Sequence, residues 1–371
     1  MGYPLNSVYA KDTMVRELLK PLLPFLKLDG VTELVVNRPG EFFLEVRGKF
    51  VRHELPELSL TNCLSLANAI ATYTEQQISP ANPILSAMLP EGERIQIVVP
   101  SAVEHDTISF SIRRPSSQIK SLDEYAADGA FSNFLWPKNP ALDRRKKDLE
   151  PFDKQLADML LAGDLKAFIE AAVAGKKNIA VVGDTGSGKT TLMKSACQSI
   201  PNHERLITIE DVRELFLPHH ENRVHLLYSK GGQGVAKVTP ADLIASTMRM
   251  KPDRVLLAEL RGGEAFDFLK LLTTGHSGSI TSFHAESCAL ATERYVFMCK
   301  EHRDAATYDE AALKRLVAMT IDVIIHVVAE KQFDGDGRMI GVKRYVKAIH
   351  FDPVAKLQAQ FGDADLIRPA K

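Results

Sequence analysis

The stretch that most constrains this chain runs from Gly183 through Asp184, Thr185, Gly186, Ser187, Gly188 and Lys189 to Thr190. It follows the apolar run Asn178-Ile-Ala-Val-Val182 and precedes a helical pattern carrying Leu192, Met193 and Ala196. A buried strand, a glycine loop and a helix start in that order fit the phosphate-binding pattern G-x-x-x-x-G-K-[ST]. Glycines permit a tight turn that brings backbone N–H groups to phosphate oxygens. The positive end of the following helix favours the same anion. Lys189 is expected to reach the β- and γ-phosphates from a solvent-facing position, and the Thr190 hydroxyl to ligate Mg²⁺, with Thr191 beside it in the binding set. The alternative is a flexible glycine loop with a solvated lysine, and the flanking strand and helix weigh against it. The stretch predicts a nucleoside triphosphate site.

At 371 residues the chain is long enough for two cores, and 45% hydrophobic with 25% charged residues is ordinary for a folded protein. A net charge of −1 provides no global basic field for nucleic acid or acidic lipid. Cys63, Cys197, Cys288 and Cys299 form no C-x-x-C pair, which fits a reducing cytoplasm. Met1-Gly-Tyr-Pro4 lacks the basic flank and apolar core of a signal peptide, and no apolar run approaches the ~18 residues of a membrane helix.

Along the chain, Val15, Leu18, Leu19, Leu22, Leu23 and Leu26 predict a short amphipathic helix broken at Pro21 and Pro24. Val31 to His53 reads as a three-strand meander with turns at Arg38-Pro-Gly40 and Arg47-Gly-Lys49. A helix over Leu58 to Gln77, capped by Thr61, and strands at Arg94–Val99 and Thr107–Arg113 complete a small α+β domain, expected over 1–135. Residues 136–165 read as a linker, exposed where Pro137, Pro140 and Pro151 bracket the charge run Asp143–Glu150. A helix over Leu156–Val173 then leads to the loop strand. From there strand and helix alternate: Leu206–Ile209, Thr239-Pro240 opening a helix to Met250, Arg254–Ala258, a helix over Glu264–Leu272, and Ser279–Phe283. This predicts an α/β domain over 166–371 with an open, largely parallel sheet. Asp334-Gly-Asp-Gly337 between two apolar runs signals a closing hairpin.

Three further stretches carry chemistry. Thr208-Ile-Glu-Asp-Val-Arg-Glu214 puts Glu210 and Asp211 at the carboxyl end of a strand, where ligands sit in open α/β sheets. These acids are candidates to hold Mg²⁺ or position water, or they form an ordinary acidic loop. Arg254–Ala265 ends its apolar strand in Glu259, an acid that would be costly there without a metal or proton to meet. Arg261 is a candidate phosphate sensor or a surface arginine. In Thr274-Gly-His-Ser-Gly-Ser-Ile-Thr-Ser-Phe-His284, His276 and His284 bracket a strand; the spacing to Cys288 does not repeat a zinc pattern, so hydrogen bonding near a γ-phosphate is the better reading.

The phosphate loop, Ile207–Leu215, Ala258–Ala265 and Thr274–Ser279, in that order, resemble the Walker A, Asp box, Walker B and His box of the traffic ATPases of type IV secretion and conjugation. Val35–Gly40, Pro90–Gln96 and Ile112–Pro115 resemble that family's N-terminal domain, so the likeness covers nearly the whole chain; Ala258 stands where many members have glycine. The resemblance implies a RecA-like P-loop ATPase domain preceded by a smaller α+β domain. It implies ATP and Mg²⁺, a cytoplasmic homo-hexamer peripheral to the inner membrane, and partners among that membrane's secretion components. It further implies domain movement driven by the ATP cycle. By position, Lys189 and Thr190 bind phosphate and metal, Glu259 is the Walker B acid, Glu210 the Asp-box acid and His276 the His-box residue. Mg²⁺ is expected on Thr190, Glu210 and Glu259, partly through water. Arg94, Arg113 and Arg114 are expected to reach the nucleotide from the N-terminal domain. Because strand side chains alternate, only one of Arg113 and Arg114 should do so.

Three other functions fit less well. A nucleotide-gated scaffold would bind ATP with negligible turnover. A RecA-like nucleic-acid translocase would need a basic, aromatic-interleaved stripe that this chain lacks, and a GTPase would need an N-K-x-D segment.

Overall fold

The computed structural model describes residues 6–46, 48–114, 119–228 and 238–361, with side chains from residue 11 onward. Met1–Pro4, Arg47 of the second meander turn and Pro115 lie outside the described residues.

The first unit opens with helices α1 (Asn6–Leu19) and α2 (Leu23–Leu26). The helix breaks near Pro21 as expected, but Pro24 sits in the first turn of α2, where a missing N–H is harmless. Strands β1 (Val31–Arg38), β2 (Glu41–Val46) and β3 (Lys49–Glu54) form the expected meander. Helix α3 (Leu60–Tyr73) is capped by Ser59 rather than Thr61, its hydroxyl accepting from Asn62 N at 3.3 Å. β4 (Ile84–Met88), missed in the sequence, joins β5 (Arg94–Val98) and β6 (Ser109–Arg113). The antiparallel sheet runs β3-β2-β1-β6-β5-β4. One face puts Leu34, Ile95, Ile97, Phe110 and Ile112 into a core with Val15, Leu19, Leu66 and Ile70 of the helices. Strand alternation leaves the other face polar. Glu33, Arg113 and Arg94 stand side by side on it across β1, β6 and β5.

Next come α4 (Leu122–Ala127), α5 (Leu142–Arg145), a single 3₁₀ turn, α6 (Pro151–Leu161) and α7 (Leu165–Ala174). The stretch 136–165, expected as a linker, is folded: Leu142, Leu149, Leu156 and Leu160 are buried in the second unit's core. Asp143, Arg144, Lys147 and Glu150 are exposed, Arg145 and Asp148 pair half-buried at 3.0 Å, and the flanking leucines point in. The single helix expected over Leu156–Val173 is two, broken at Gly163, whose φ of +74° is left-handed.

The second sheet holds β7 (Ile179–Gly183), β8 (Leu206–Glu210), β9 (Arg223–Leu227), β10 (Arg254–Leu257), β11 (Ile280–His284), β12 (Val323–Phe333) and β13 (Met339–His350). Its order is β13-β12-β7-β11-β10-β8-β9, parallel except for the β12–β13 hairpin. α8 (Lys189–Cys197), α9 (Pro240–Thr247), α10 (Glu264–Thr273), α11 (Cys288–Lys300), α12 (Glu310–Thr320) and α13 (Pro353–Phe361) complete the layers. Alternate strand residues feed two cores: Ile179, Val181 and Leu256 pack with α6 to α8, and Ala180, Val182, Val255 and Leu257 with α10 to α12. This is the expected doubly covered α/β sheet behind a smaller α+β unit. Among the described residues no helix is long and apolar enough to cross a membrane.

Candidate active site at the carboxyl edge of the parallel sheet

Parallel strands end on one edge, so β7, β11, β10 and β8 deliver Gly183, His284, Glu259 and Asp211 to the same side. Gly183 must be glycine, because a Cβ there would lie 2.2 Å from the Val327 carbonyl oxygen of β12. Gly186 and Gly188, at φ +73° and +96°, supply the left-handed turns that curl the loop onto α8. Ser187 Oγ is buried and has no hydrogen-bond partner among the described residues, a polar atom left for something the loop receives. Thr190 and Thr191 lie half-buried in the first turn of α8.

Lys189 differs from expectation: it is only 7% exposed, folded into the loop rather than facing solvent. Its Nζ donates to the Asp184 carbonyl at 2.9 Å and lies 3.4 Å from His284 Nδ1. Burial lowers its pKa; Glu259 and Asp184 oppose the shift, and the Arg113 charge adds to it. An ammonium with so few partners is poised for an anion.

Glu259 follows β10 and is gripped at both oxygens. Oε1 lies 3.0 Å from His284 Nε2, and Oε2 accepts from Arg261 Nε at 2.9 Å and from Arg261 Nη2. With Lys189 donating to Nδ1, the imidazole satisfies both contacts as the Nε2–H tautomer. Arg261 Nη1 donates to Asp211 Oδ2 at 2.8 Å, and the same carboxylate oxygen accepts from Arg94 Nη2 of the first unit. Burial works against the Arg261 charge, but Asp211 and Glu259 outweigh it and raise the pKa. Six side chains thus form one chain of contacts from the loop to the N-terminal sheet: Lys189, His284, Glu259, Arg261, Asp211 and Arg94.

Two expected residues lie elsewhere. Glu210 ends β8 with its carboxylate turned inward and wholly buried. Oε1 accepts from the Glu214 and Leu215 backbone N–H groups, both at 2.8 Å, and Oε2 from Thr208 Oγ1 at 2.9 Å, with His225 Nδ1 at 3.3 Å. It braces the loop that presents Asp211, and its lone pairs are committed. His276 lies before β11, at the amino edge of the sheet. Four strand steps of ~3.3 Å put even Ile280 about 13 Å from His284, and His276 is farther back. Its neighbour is Thr274 Oγ1 at 3.3 Å. A sequence motif does not say which end of its strand faces the ligand; the parallel register His284↔Gly183 does.

Arg113 and Arg114 point to opposite faces, as alternation requires. Arg113 shares the Arg94 face, and its charge acts on Lys189 and Glu214. Arg114 instead reaches back, Nη1 donating to the carbonyls of Leu26 at 3.3 Å and Leu28 at 3.4 Å. Arg344 of β13 was not foreseen: its Nε donates to the Gly186 carbonyl at 2.9 Å. It lies in a run, Gly341-Val-Lys-Arg-Tyr-Val346, that reads only as a strand, and no local signal marks it.

The residues present fit a Mg²⁺-bound triphosphate. The loop has its nest of N–H groups, an under-partnered lysine and an orphaned hydroxyl, with Thr190 and Glu259 as oxygen donors beside it.

Residues 149–347 match the model of the family described as type II/IV secretion system protein. Over 355 residues the chain is 44% identical to the type IV secretion system protein VirB11 of Brucella suis biovar 1, covering 95% of this chain and 94% of that one. It is 41% identical over 323 residues to PtlH of Bordetella pertussis, covering 87% and 92%. Among solved structures it is similar to the Brucella suis VirB11 ATPase in complex with sulphate, with TM-score 0.51, 42% identity, and coverage of 96% and 99%. The Legionella pneumophila ATPase DotB shares the fold at TM-score 0.54 and 17% identity, covering 93% of this chain and 82% of its own. The chain belongs to the type II/IV secretion system protein family, among the traffic ATPases of type IV secretion.

Proposed function

We propose that this protein is an ATP-hydrolysing motor that powers substrate transfer or pilus assembly in a type IV secretion or conjugation system. It would work as a homo-hexamer, cytoplasmic and peripheral to the inner membrane, docked on that membrane's secretion components. Its family membership supports the ATPase motor. The observation that carries the chemistry is the contact chain that joins Lys189 to Glu259 through His284 and runs on to Arg94 of the other unit.

Lys189 leaves the Asp184 carbonyl for the phosphates. Thr190 and Glu259 are the residues that would hold Mg²⁺, which when bound neutralises phosphate charge and orients water. Glu259 is the carboxylate that His284 links to the loop lysine, and we assign it the base role. His284 and Arg261 fix its two oxygens, so the carboxylate is aimed before substrate arrives. Glu210, expected to share this task, supports the Asp211 loop instead. Asp211 ties Arg94 and Arg261 together, so a phosphate that draws either arginine loosens or remakes the link between units. The sulphate held by the Brucella VirB11 ATPase fits an anion site of this kind.

The test is turnover by purified, assembled protein. Wild type should hydrolyse ATP, and Lys189→Ala should not, while keeping its melting temperature. Binding without turnover in wild type would favour a nucleotide-gated scaffold and overturn the motor.

A further inference from the structure

The hairpin arm leads past the nucleotide loop. β12 pairs with β7 only as far as His326; the rest of the arm pairs with β13 alone and extends beyond the sheet. Val342 and Arg344, two residues apart on β13, share one side of that arm. Val342 closes on the N-terminal unit: a Cβ on Gly48 would lie 3.3 Å from its Cγ2. Arg344 closes on the loop. Its Cδ would lie 3.2 Å from a Cβ on Gly188, and its Nε holds the Gly186 carbonyl at 2.9 Å. One nitrogen of a five-donor fork is thereby anchored between the two glycines that shape the phosphate nest. Among the described residues its Nη groups have no hydrogen-bond acceptor. The side chain is exposed rather than packed away, and among the described residues no carboxylate pairs with it.

We propose that Arg344 is a phosphate-contacting residue of the nucleotide site, supplied within the same chain by the C-terminal hairpin. This rests on the loop being a nucleoside triphosphate site. Anchoring through Nε fixes the guanidinium plane and leaves two Nη groups for phosphate oxygens, an arrangement that a flexible ammonium cannot match but whose charge it can supply.

Charge and bracing are separable. Arg344→Gln can still donate an amide hydrogen bond to Gly186 but carries no charge; Arg344→Lys keeps the charge and loses the fork. ADP affinity is measured by titration for both, for wild type, and for Lys343→Gln, a neighbouring charge on the other side of the strand. Arg344→Gln should weaken ADP binding about tenfold or more, with a shallower salt dependence, as expected for one lost charge-assisted contact. Arg344→Lys should stay within about threefold of wild type, and Lys343→Gln should be unchanged. Near-wild-type binding by Arg344→Gln, or equal losses in Gln and Lys variants, overturns the proposal and leaves Arg344 a loop brace. If wild type binds neither ADP nor ATP, the nucleotide reading itself falls. Melting curves confirm that each variant is folded.

Discussion

Adjacent acids at the end of β8 have opposite fates, and the difference is one of lone pairs. Glu210 spends its oxygens on two backbone N–H groups, a threonine and a histidine, whereas Asp211 meets arginines from both units. Glu210→Ala should therefore cost about 2–4 kcal/mol in urea unfolding, because buried N–H groups are left unpaired. Glu259→Gln should leave ATP binding intact and lower turnover at least a hundredfold. Normal turnover in Glu259→Gln together with loss in a stably folded Glu210→Gln would reverse this assignment. The histidines divide in the same way. His284→Ala breaks the link between Lys189 and Glu259 and should depress kcat tenfold or more, as loss of a positioning hydrogen bond does. His276→Ala, at the far edge, should leave the kcat of the assembled protein within twofold.

Elements explain why some of this was readable and some was not. The strands of the parallel core, buried on both faces, appear as continuous apolar runs, so β7, β8, β10 and β11 stand out in the sequence. β9 lies at the sheet edge, half-exposed, and Arg223-Val-His-Leu-Leu227 presents no such run. The folded stretch from Leu142 to Leu149 hid behind charges, its two buried leucines too widely spaced to register as a helix pattern. The site was readable at its loop and at Glu259, where spacing fixes chemistry. It was not readable at Arg344, which tertiary contacts select, and Asp211 was marked as a strand-end acid without its arginine partners Arg94 and Arg261. At the amino edge of the same sheet, Arg254 is fully buried. It binds Glu204 through Nε at 2.6 Å and Nη2 at 3.1 Å, and its Nη2 reaches the Ala174 carbonyl of α7 at 3.4 Å. Burial pushes the Glu204 pKa up, but Arg254 and Lys176 outweigh it, so the folded value lies below the ordinary 4.5. The stabilisation is then fully present above pH 4.5 and is lost as pH falls through the lowered value. Arg254→Met should cost about 3–5 kcal/mol at pH 7 by stranding the buried carboxylate. That deficit should narrow in acid as Glu204 takes a proton. Urea unfolding of variant and wild type at pH 7 and pH 4 checks it; a deficit that grows in acid would refute the pairing.

At the scale of the whole molecule, two units share one charged seam, and the N-terminal sheet offers it a polar face because its other face is spent on α1 and α3. Arg94 and Arg113 stand opposite each other on β5 and β6 and look toward the loop. Arg94 is engaged with Asp211, while Arg113 is exposed and acts on Lys189 through its charge alone. A cation that depresses a neighbouring lysine's pKa raises the cost of bringing the two together. That cost vanishes when an anion lies between them. A γ-phosphate is such an anion, and an arginine fork suits it because it stays charged and grips two oxygens. On the proposed function ATP would draw Arg113 across the seam and ADP would release it, turning hydrolysis into relative movement of the two units. Arg114 cannot substitute: it points the other way and ties the end of β6 to carbonyls at and just after the end of α2. Arg113→Ala should therefore lower turnover of the assembled protein by ~10³-fold where the group stabilises the transition state. ADP affinity should be nearly unchanged, since the loop is untouched, and melting unaffected at so exposed a residue. Arg114→Ala should do the converse, lowering the melting temperature of the N-terminal unit by a few degrees with turnover retained. Turnover and melting of both variants, measured on the same preparations, decide the matter. Near-normal turnover in Arg113→Ala would confine the N-terminal unit to docking and ring assembly.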